Sequence, residues 1–216
     1  WITLLFCSCF RSFGQPETDV YLADLKVGEE TISVATPVNI SKNAGYDNQP
    51  SFLPDGTLLY SRTRNGQTDI ARYHPQEGTT AWLSNTPGGS EYSPLKIPGK
   101  AAVSAIQLDT NGLQRLYRYP AKGGKPVLLV DKLKIGYHLW YDEDLLVCTV
   151  LVEDRMDLVL VNIRDNTRYT VRKNVGRSLQ RIPGSGRFSY TERDNGRLLL
   201  KSMDPHSREV EPIVTL

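Results

Sequence analysis

The fold is decided by residues 48–61, which read Asn-Gln-Pro-Ser-Phe-Leu-Pro-Asp-Gly-Thr-Leu-Leu-Tyr-Ser. This stretch predicts a short strand, a Pro-Asp-Gly turn and a second strand, because proline presets φ for a turn and glycine accepts positive φ. The dipeptide Asn65-Gly66 predicts a hairpin turn. Two further strands are predicted at residues 68–73 and 80–84. One unit of this sequence therefore contains four short antiparallel strands.

The same unit recurs along the chain. Pro94 and Pro98 repeat the spacing of Pro50 and Pro54, and the strands that follow them repeat as well. The third strands of successive units begin at Thr68, Gln114, Met156 and Gly196. Four strands in a unit of roughly 40 to 46 residues are typical of a β-propeller blade. The sequence therefore predicts an all-β propeller of four-stranded antiparallel blades.

The front of the chain predicts half a blade. Residues 18–25 match the third strand of the unit and residues 37–41 match the fourth. With four whole blades after residue 46, roughly eighteen strands are expected, whereas a ring of six four-stranded blades holds about twenty-four. We therefore expect a propeller domain over residues 15–216 that holds about four and a half blades of a six-bladed parent and is incomplete at its C-terminus.

The first residues have a different composition. Residues 1–10 are almost wholly apolar, and Ser12 and Gly14 follow with the small side chains that signal peptidase requires. This pattern predicts a partial secretory signal over residues 1–14, with cleavage next to Gln15. A buried N-terminal strand is the alternative.

The cysteines limit the covalent chemistry. Cys7 or Cys9 could carry a lipid anchor, which is a weaker alternative to a cleaved signal and the only predicted route to peripheral membrane association. Removal of the signal leaves Cys148 as the sole cysteine, so no disulfide is expected. Cys148 lies in an apolar run and is predicted to be a small core residue.

The best preserved unit resembles a known repeat. Residues 50–56 read Pro-Ser-Phe-Leu-Pro-Asp-Gly, residues 61–66 read Ser-Arg-Thr-Arg-Asn-Gly, and residues 69–71 read Asp-Ile-Ala. This is similar to the WD40-like repeat of the TolB family, although Leu53 and Ala71 stand where serine and tyrosine are usual. The resemblance covers residues 18–216 and weakens in the last two units.

The resemblance implies a six-bladed propeller in the periplasm or outside the cell. In the better-known members of the family the propeller is a platform for binding proteins. Related propellers also cap peptidases or form sugar-acid lyases, so the fold does not settle the function.

The residues show no catalytic motif. A nucleophile elbow, Gly-x-Ser-x-Gly, does not occur in the sequence. His74, His138 and His206 are far apart and lack metal-ligand spacing. No phosphate loop is present, and a net charge of +2 gives no indication of a nucleic-acid partner. We therefore expect no cofactor and no catalytic residue.

Three aspartates recur at repeat positions: Asp55, Asp69 and Asp157. Carboxylates at such positions usually accept hydrogen bonds within turns or between strands. A structural role is therefore favoured over catalysis.

The candidate site is the mouth of the axial channel, because the inner strands of all blades begin there. The segments at those positions are rich in tyrosine, carboxylate, arginine and histidine, which hydrogen-bond to and stack on ligands. The candidate binding residues are Tyr46, Asp47, Glu91, Tyr92, His138, Arg177 and Arg181.

Three interpretations of this mouth remain open. The leading hypothesis is an exported, non-catalytic propeller that binds a protein or peptide there. The alternative is a carbohydrate-binding, sugar-acid lyase or hydrolase-associated propeller, with His138, Arg177 and Arg181 as acid/base or anion-binding groups. The third is that these loop residues are polar only because they are hydrated.

Overall fold

The computed structural model describes residues 16–215, which form β-strands and turns without a helix. Within that range no helix is therefore long and apolar enough to cross a membrane. Four sheets each contain four antiparallel strands in chain order, and two short strand pairs precede them. The predicted all-β propeller of four-stranded blades is confirmed.

The four blades follow one another along the chain. The first blade contains β5 (Asn48–Phe52), β6 (Leu58–Arg64), β7 (Gln67–His74) and β8 (Thr79–Trp82). The second contains β9 (Gly89–Lys96), β10 (Ala102–Asp109), β11 (Gln114–Pro120) and β12 (Val127–Val130). The third contains β13 (Ile135–Trp140), β14 (Leu145–Val152), β15 (Arg155–Asn162) and β16 (Arg168–Arg172). The fourth contains β17 (Val175–Arg181), β18 (Phe188–Asp194), β19 (Arg197–Met203) and β20 (Val210–Thr215).

The turns of the first blade have the geometry that its sequence requires. Gly56 has a φ of 81°, and the Asp55 carboxylate accepts hydrogen bonds from the backbone N–H and hydroxyl of Thr57 at 3.1 and 2.6 Å. Asn65 and Gly66 both have positive φ, 49° and 77°, as a tight hairpin turn requires. These two turns set the register of β5, β6 and β7.

The core lies between the faces of neighbouring blades. Leu59 and Ile70 of the first blade pack against Val103 of the second. The middle strands β10 and β14 each lie between two neighbouring blades, so they are buried on both faces. Cys148 in β14 is fully buried in the cluster between the second and third blades, which confirms its predicted place in the core.

The half blade expected at residues 18–41 is present. β1 (Tyr21–Leu22) pairs with β4 (Val38–Asn39), and β2 (Leu25–Val27) pairs with β3 (Ile32–Val34), so the outer strand pair is one interrupted hairpin. Val20 and Ile40 attach this hairpin to the apolar face of the first blade. The predicted signal over residues 1–14 lies outside the described residues.

Candidate functional site

The inner strands β5, β9, β13 and β17 line an open axial cavity of about 210 Å³. Its wall includes Gln49 and Ser93, whose φ values of 56° and 52° mark irregularities in β5 and β9. The Gln49 Oε1 atom accepts hydrogen bonds from the Ser93 backbone N–H at 2.7 Å and from the Ser61 hydroxyl at 3.2 Å. One side chain thus links the first two blades at the axis.

Four half-buried or exposed side chains meet at the mouth of this cavity, one from each blade. The Tyr46 and Tyr92 rings are in edge contact, with centroids 6.0 Å apart. Burial raises the pKa of Tyr46, the nearby Tyr137 and Tyr92 hydroxyls raise it further, and the Arg177 guanidinium opposes them. Tyr46, Tyr92 and Arg177 are therefore brought together. Tyr137 joins them and was not a candidate, although it directly precedes one.

Asp47 lies beneath the mouth and is fully buried. One of its carboxylate oxygens accepts hydrogen bonds from the Asn43 amide at 2.9 Å and from the Thr63 backbone N–H at 3.1 Å. Its other oxygen is 3.9 Å from Nε of Arg62. Burial raises the pKa of Asp47. The carboxylate therefore holds the segment that carries Tyr46 rather than facing the mouth.

Glu91 is also fully buried, at the junction of the first two blades. Its carboxylate accepts a hydrogen bond from the Ser84 hydroxyl at 3.0 Å and lies 3.3 Å from the Tyr119 hydroxyl. Burial raises the pKa of Glu91 to about 8, and the adjacent Asp69 carboxylate adds to this shift. Asp69 is itself paired with Arg64, at 2.9 Å from Nε. Glu91 thus belongs to a polar network between two blades.

His138 is a buried link between the second and third blades. Its Nε2 atom lies 2.7 Å from the Ser104 hydroxyl oxygen, which also accepts a hydrogen bond from the Trp140 indole N–H at 2.8 Å. Burial lowers the pKa of His138 to about 3. The imidazole is therefore neutral near pH 7 and cannot donate a proton as an imidazolium there.

Arg181 does not join the other candidates. It is the last residue of β17, whereas Arg177 lies near the strand's start. Its guanidinium donates to the Tyr141 carbonyl and stacks on the Tyr141 ring, 4.8 Å from the centroid. Tyr141 follows the end of β13, so this pair lies at the end of the inner strands away from the mouth.

A larger cleft of about 700 Å³ lies between the third and fourth blades and shares Tyr137 and Arg177 with the mouth. The turns after β14 and β18 form its two rims. Its further lining residues are Gln114, Gly136, Leu151, Glu153, Asp154, Arg155, Met156, Asn174, Val175, Arg193, Asn195 and Gly196. Sequence reasoning missed this cleft, although these turns leave the sheet at the same face as the inner-strand starts.

The recurring aspartates have structural roles. Asp157 accepts two hydrogen bonds from Arg155, at 2.9 and 3.2 Å, and Asp69 is held by Arg64. Across residues 16–215, no group of three or more histidine, cysteine, aspartate or glutamate side chains is arranged to hold a metal ion.

Comparison with known proteins identifies the fold. No protein-family model matches the chain, and no curated protein matches it. Among solved structures, TolB from Acinetobacter baumannii superposes with a TM-score of 0.69 at 19% sequence identity, over 89% of this chain and 51% of that one. The chain folds as a TolB-like β-propeller.

Other solved structures share this TolB-like architecture at lower identity. An oligogalacturonate lyase in complex with manganese matches with a TM-score of 0.64 at 14% identity, over 83% of this chain and 56% of the lyase. A chain of a nidogen/laminin complex matches with a TM-score of 0.63 at 12% identity, over 93% and 91% of the two chains. The TolB-like chain spans about half the length of the TolB that it matches.

Proposed function

We propose that this TolB-like propeller binds a protein or peptide segment at the mouth of its axial channel. The observation that carries the proposal is the convergence of Tyr46, Tyr92, Tyr137 and Arg177 at one end of the axial cavity. Tyrosine and arginine are the residue types that contribute most to protein interfaces, because they offer large area together with hydrogen bonds. Because the four side chains meet at one mouth, they can all contact the same ligand.

The buried groups beneath the mouth support the same function. Asp47 holds the segment that carries Tyr46, and Glu91 holds the strand that carries Tyr92. Side chains fixed before binding lose less conformational entropy when the partner arrives. This fixed geometry supports a binding role for the mouth.

The similar solved structures include one from a protein–protein complex and one enzyme. One similar structure is of a nidogen/laminin complex and another is an oligogalacturonate lyase. The lyase alternative would use His138 as an acid or base, and its burial next to Ser104 gives that role no support. Protein or peptide binding is therefore the favoured function.

We also propose that the protein is exported. The apolar composition of residues 1–10, with Ser12 and Gly14 after them, supports this proposal. N-terminal sequencing of protein purified from its native host is expected to begin at or near Gln15. A mature protein that retains Trp1 would contradict export by cleavage of this segment.

Binding at the mouth can be tested with a random dodecapeptide display library panned on the purified chain. Fluorescence anisotropy then measures the affinity of the recovered peptides for the wild type, for the mouth variants Tyr46→Ala and Tyr137→Ala, and for a control variant. The control is Tyr169→Ala, at a residue of β16. We expect each mouth variant to weaken binding by about tenfold or more, as truncation of a hot-spot residue does. The control should bind like the wild type. Failure to recover peptides, or unchanged binding by both mouth variants, would contradict the proposal.

A further inference from the structure

The cleft between the third and fourth blades has charges of opposite sign on its two walls. Arg155 on the third blade is held by Asp157 through two hydrogen bonds, and Glu153 and Asp154 flank it closely enough to raise its pKa further. The turn after β14 therefore places the carboxylates of Glu153 and Asp154 on the third-blade wall of the cleft.

The opposite wall carries two arginines without a counter-ion. Arg177 and Arg193 lie on β17 and β18 and line the cleft. Within residues 16–215, neither guanidinium forms a hydrogen bond or an ion pair. A guanidinium presents a planar fork of donors that matches a carboxylate. This wall is therefore suited to bind a carboxylate from a ligand.

The base of the cleft is apolar, and its edges carry amides. Leu151, Met156 and Val175 provide aliphatic surface, whereas Asn174 and Asn195 provide side-chain amides. An amide has both a donor and an acceptor, so it can pair with a peptide backbone group. The volume of about 700 Å³ is within the range of ligand-binding clefts.

We propose that this cleft receives an extended peptide segment that directs an acidic side chain to Arg177 and Arg193. The inference rests on the proposed peptide-binding function of the mouth and names the partner's chemistry. Glu153 and Asp154 would repel a carboxylate placed on the third-blade wall, so they orient the segment with its acidic residue toward the fourth blade. The aliphatic base then accommodates a neighbouring apolar side chain.

An acidic peptide fits these residues better than an acidic sugar. A uronic-acid oligomer repeats a carboxylate on every ring, and some of these groups would have to lie beside Glu153 and Asp154. A peptide can place one carboxylate on the arginine wall and a neutral or basic residue on the acidic wall. The opposite charges of the two walls therefore favour the peptide.

The test is a double-mutant cycle that combines substitutions in the peptide with substitutions in the protein. Each recovered peptide is prepared both unchanged and with each Asp or Glu replaced by Asn or Gln. The affinity of every peptide is then measured for the wild type, Arg177→Gln, Arg193→Gln and the double variant. Arg181→Gln is the matched control, because Arg181 is an arginine of the same strand at the opposite end. Thermal melts check that every variant is folded.

We expect recovered peptides to be enriched in acidic residues. Replacing the acidic residue should weaken binding to wild type by about tenfold or more, since a hydrogen bond between charged groups is worth at least that factor. The same replacement should have little effect on the double arginine variant, because the coupling has already been lost. Arg181→Gln should bind like the wild type.

Three results would overturn the inference. Peptides whose binding depends on Tyr46 and Tyr137 but on neither arginine would leave the proposed function intact and exclude the acidic specificity. Arginine-dependent binding of a uronic-acid trisaccharide without any peptide binding would replace the peptide by a sugar. Peptide binding that depends on no residue of the mouth or the cleft would overturn both proposals together.

Discussion

The Tyr46 and Tyr92 rings meet at an interplanar angle of 68°, with centroids 6.0 Å apart. Tyr46 lies two residues before β5 of the first blade, and Tyr92 lies within β9 of the second blade. Their contact therefore depends on the relative position of two separate sheets. An edge-to-face pair contributes about 0.5–1.5 kcal/mol beyond the area that it buries.

This contact predicts a measurable coupling between the first two blades. Tyr46→Ala and Tyr92→Ala should each lower the free energy of unfolding, and the double variant should lose less than the sum by about 0.5–1.5 kcal/mol. Urea denaturation of the four proteins measures this difference. Additive losses would show that the rings do not stabilise one another.

The fold was predictable because local chemistry repeats. Pro54, Asp55 and Gly56 specify a turn regardless of their surroundings, and Asn65-Gly66 specifies another. The inner strand of the fourth blade was predicted less well. It begins at Val175, and no proline or turn dipeptide marks this start in the sequence.

The repeat indicates the strand on which a candidate residue lies, but not whether its side chain is exposed. The repeat placed His138 on the inner strand of the third blade, and it lies in β13, three residues after the start of that strand. That it is buried depends on Ser104, which comes from another blade and is 34 residues away in the sequence. A repeat gives the position of a residue within its own blade, whereas burial and the cleft depend on packing between blades.

Ser104 is predicted to be more important for stability than its size suggests. Its hydroxyl is hydrogen-bonded to both His138 and Trp140 and is fully buried. Ser104→Ala leaves two buried polar groups without this partner, and each such group costs about 1–3 kcal/mol. We expect a loss of a few kcal/mol in urea denaturation. Ser189→Ala, at a more exposed hydroxyl, is the control and should change stability by less than about 0.5 kcal/mol.

Gly176 is predicted to tolerate no side chain. A Cβ at this position would lie 2.1 Å from Oγ1 of Thr191, next to the base of the cleft. Gly176→Ala should therefore destabilise the fourth blade by about 1–3 kcal/mol, as overpacking of a core does. Thermal or urea denaturation measures the loss.

Two further variants test whether the clash with Thr191 causes this loss of stability. A Cβ at Gly186 would have its nearest neighbour at 3.5 Å, so Gly186→Ala should have little effect. Adding Thr191→Ala to Gly176→Ala removes the clashing hydroxyl and should recover part of the lost stability. A double variant less stable than the sum of both single changes would show that the contact with Thr191 is not the cause.

The buried Glu91 predicts a loss of stability at alkaline pH. Burial raises its pKa in the folded protein from an ordinary value of 4.5 to about 8. Because the folded pKa is above the unfolded one, the stabilisation is fully present below pH 4.5 and is lost as the pH rises through 8. Each pKa unit corresponds to about 1.4 kcal/mol, so the change is expected to be a few kcal/mol.

The variant Glu91→Gln isolates this effect. Glutamine keeps the approximate shape but does not ionise, so the stability of the variant should depend less on pH between 5 and 9. His138 acts in the opposite sense. Its folded pKa of about 3 lies below the ordinary 6.5, so its contribution is present above pH 6.5 and is lost as the pH falls toward 3. The difference between wild type and Glu91→Gln, measured by urea denaturation at pH 5, 7 and 9, removes the His138 contribution because both proteins carry it. A difference that stays constant over this range would show that Glu91 is ionised in the folded protein, and that Ser84, Tyr119 and their neighbours stabilise the carboxylate after all.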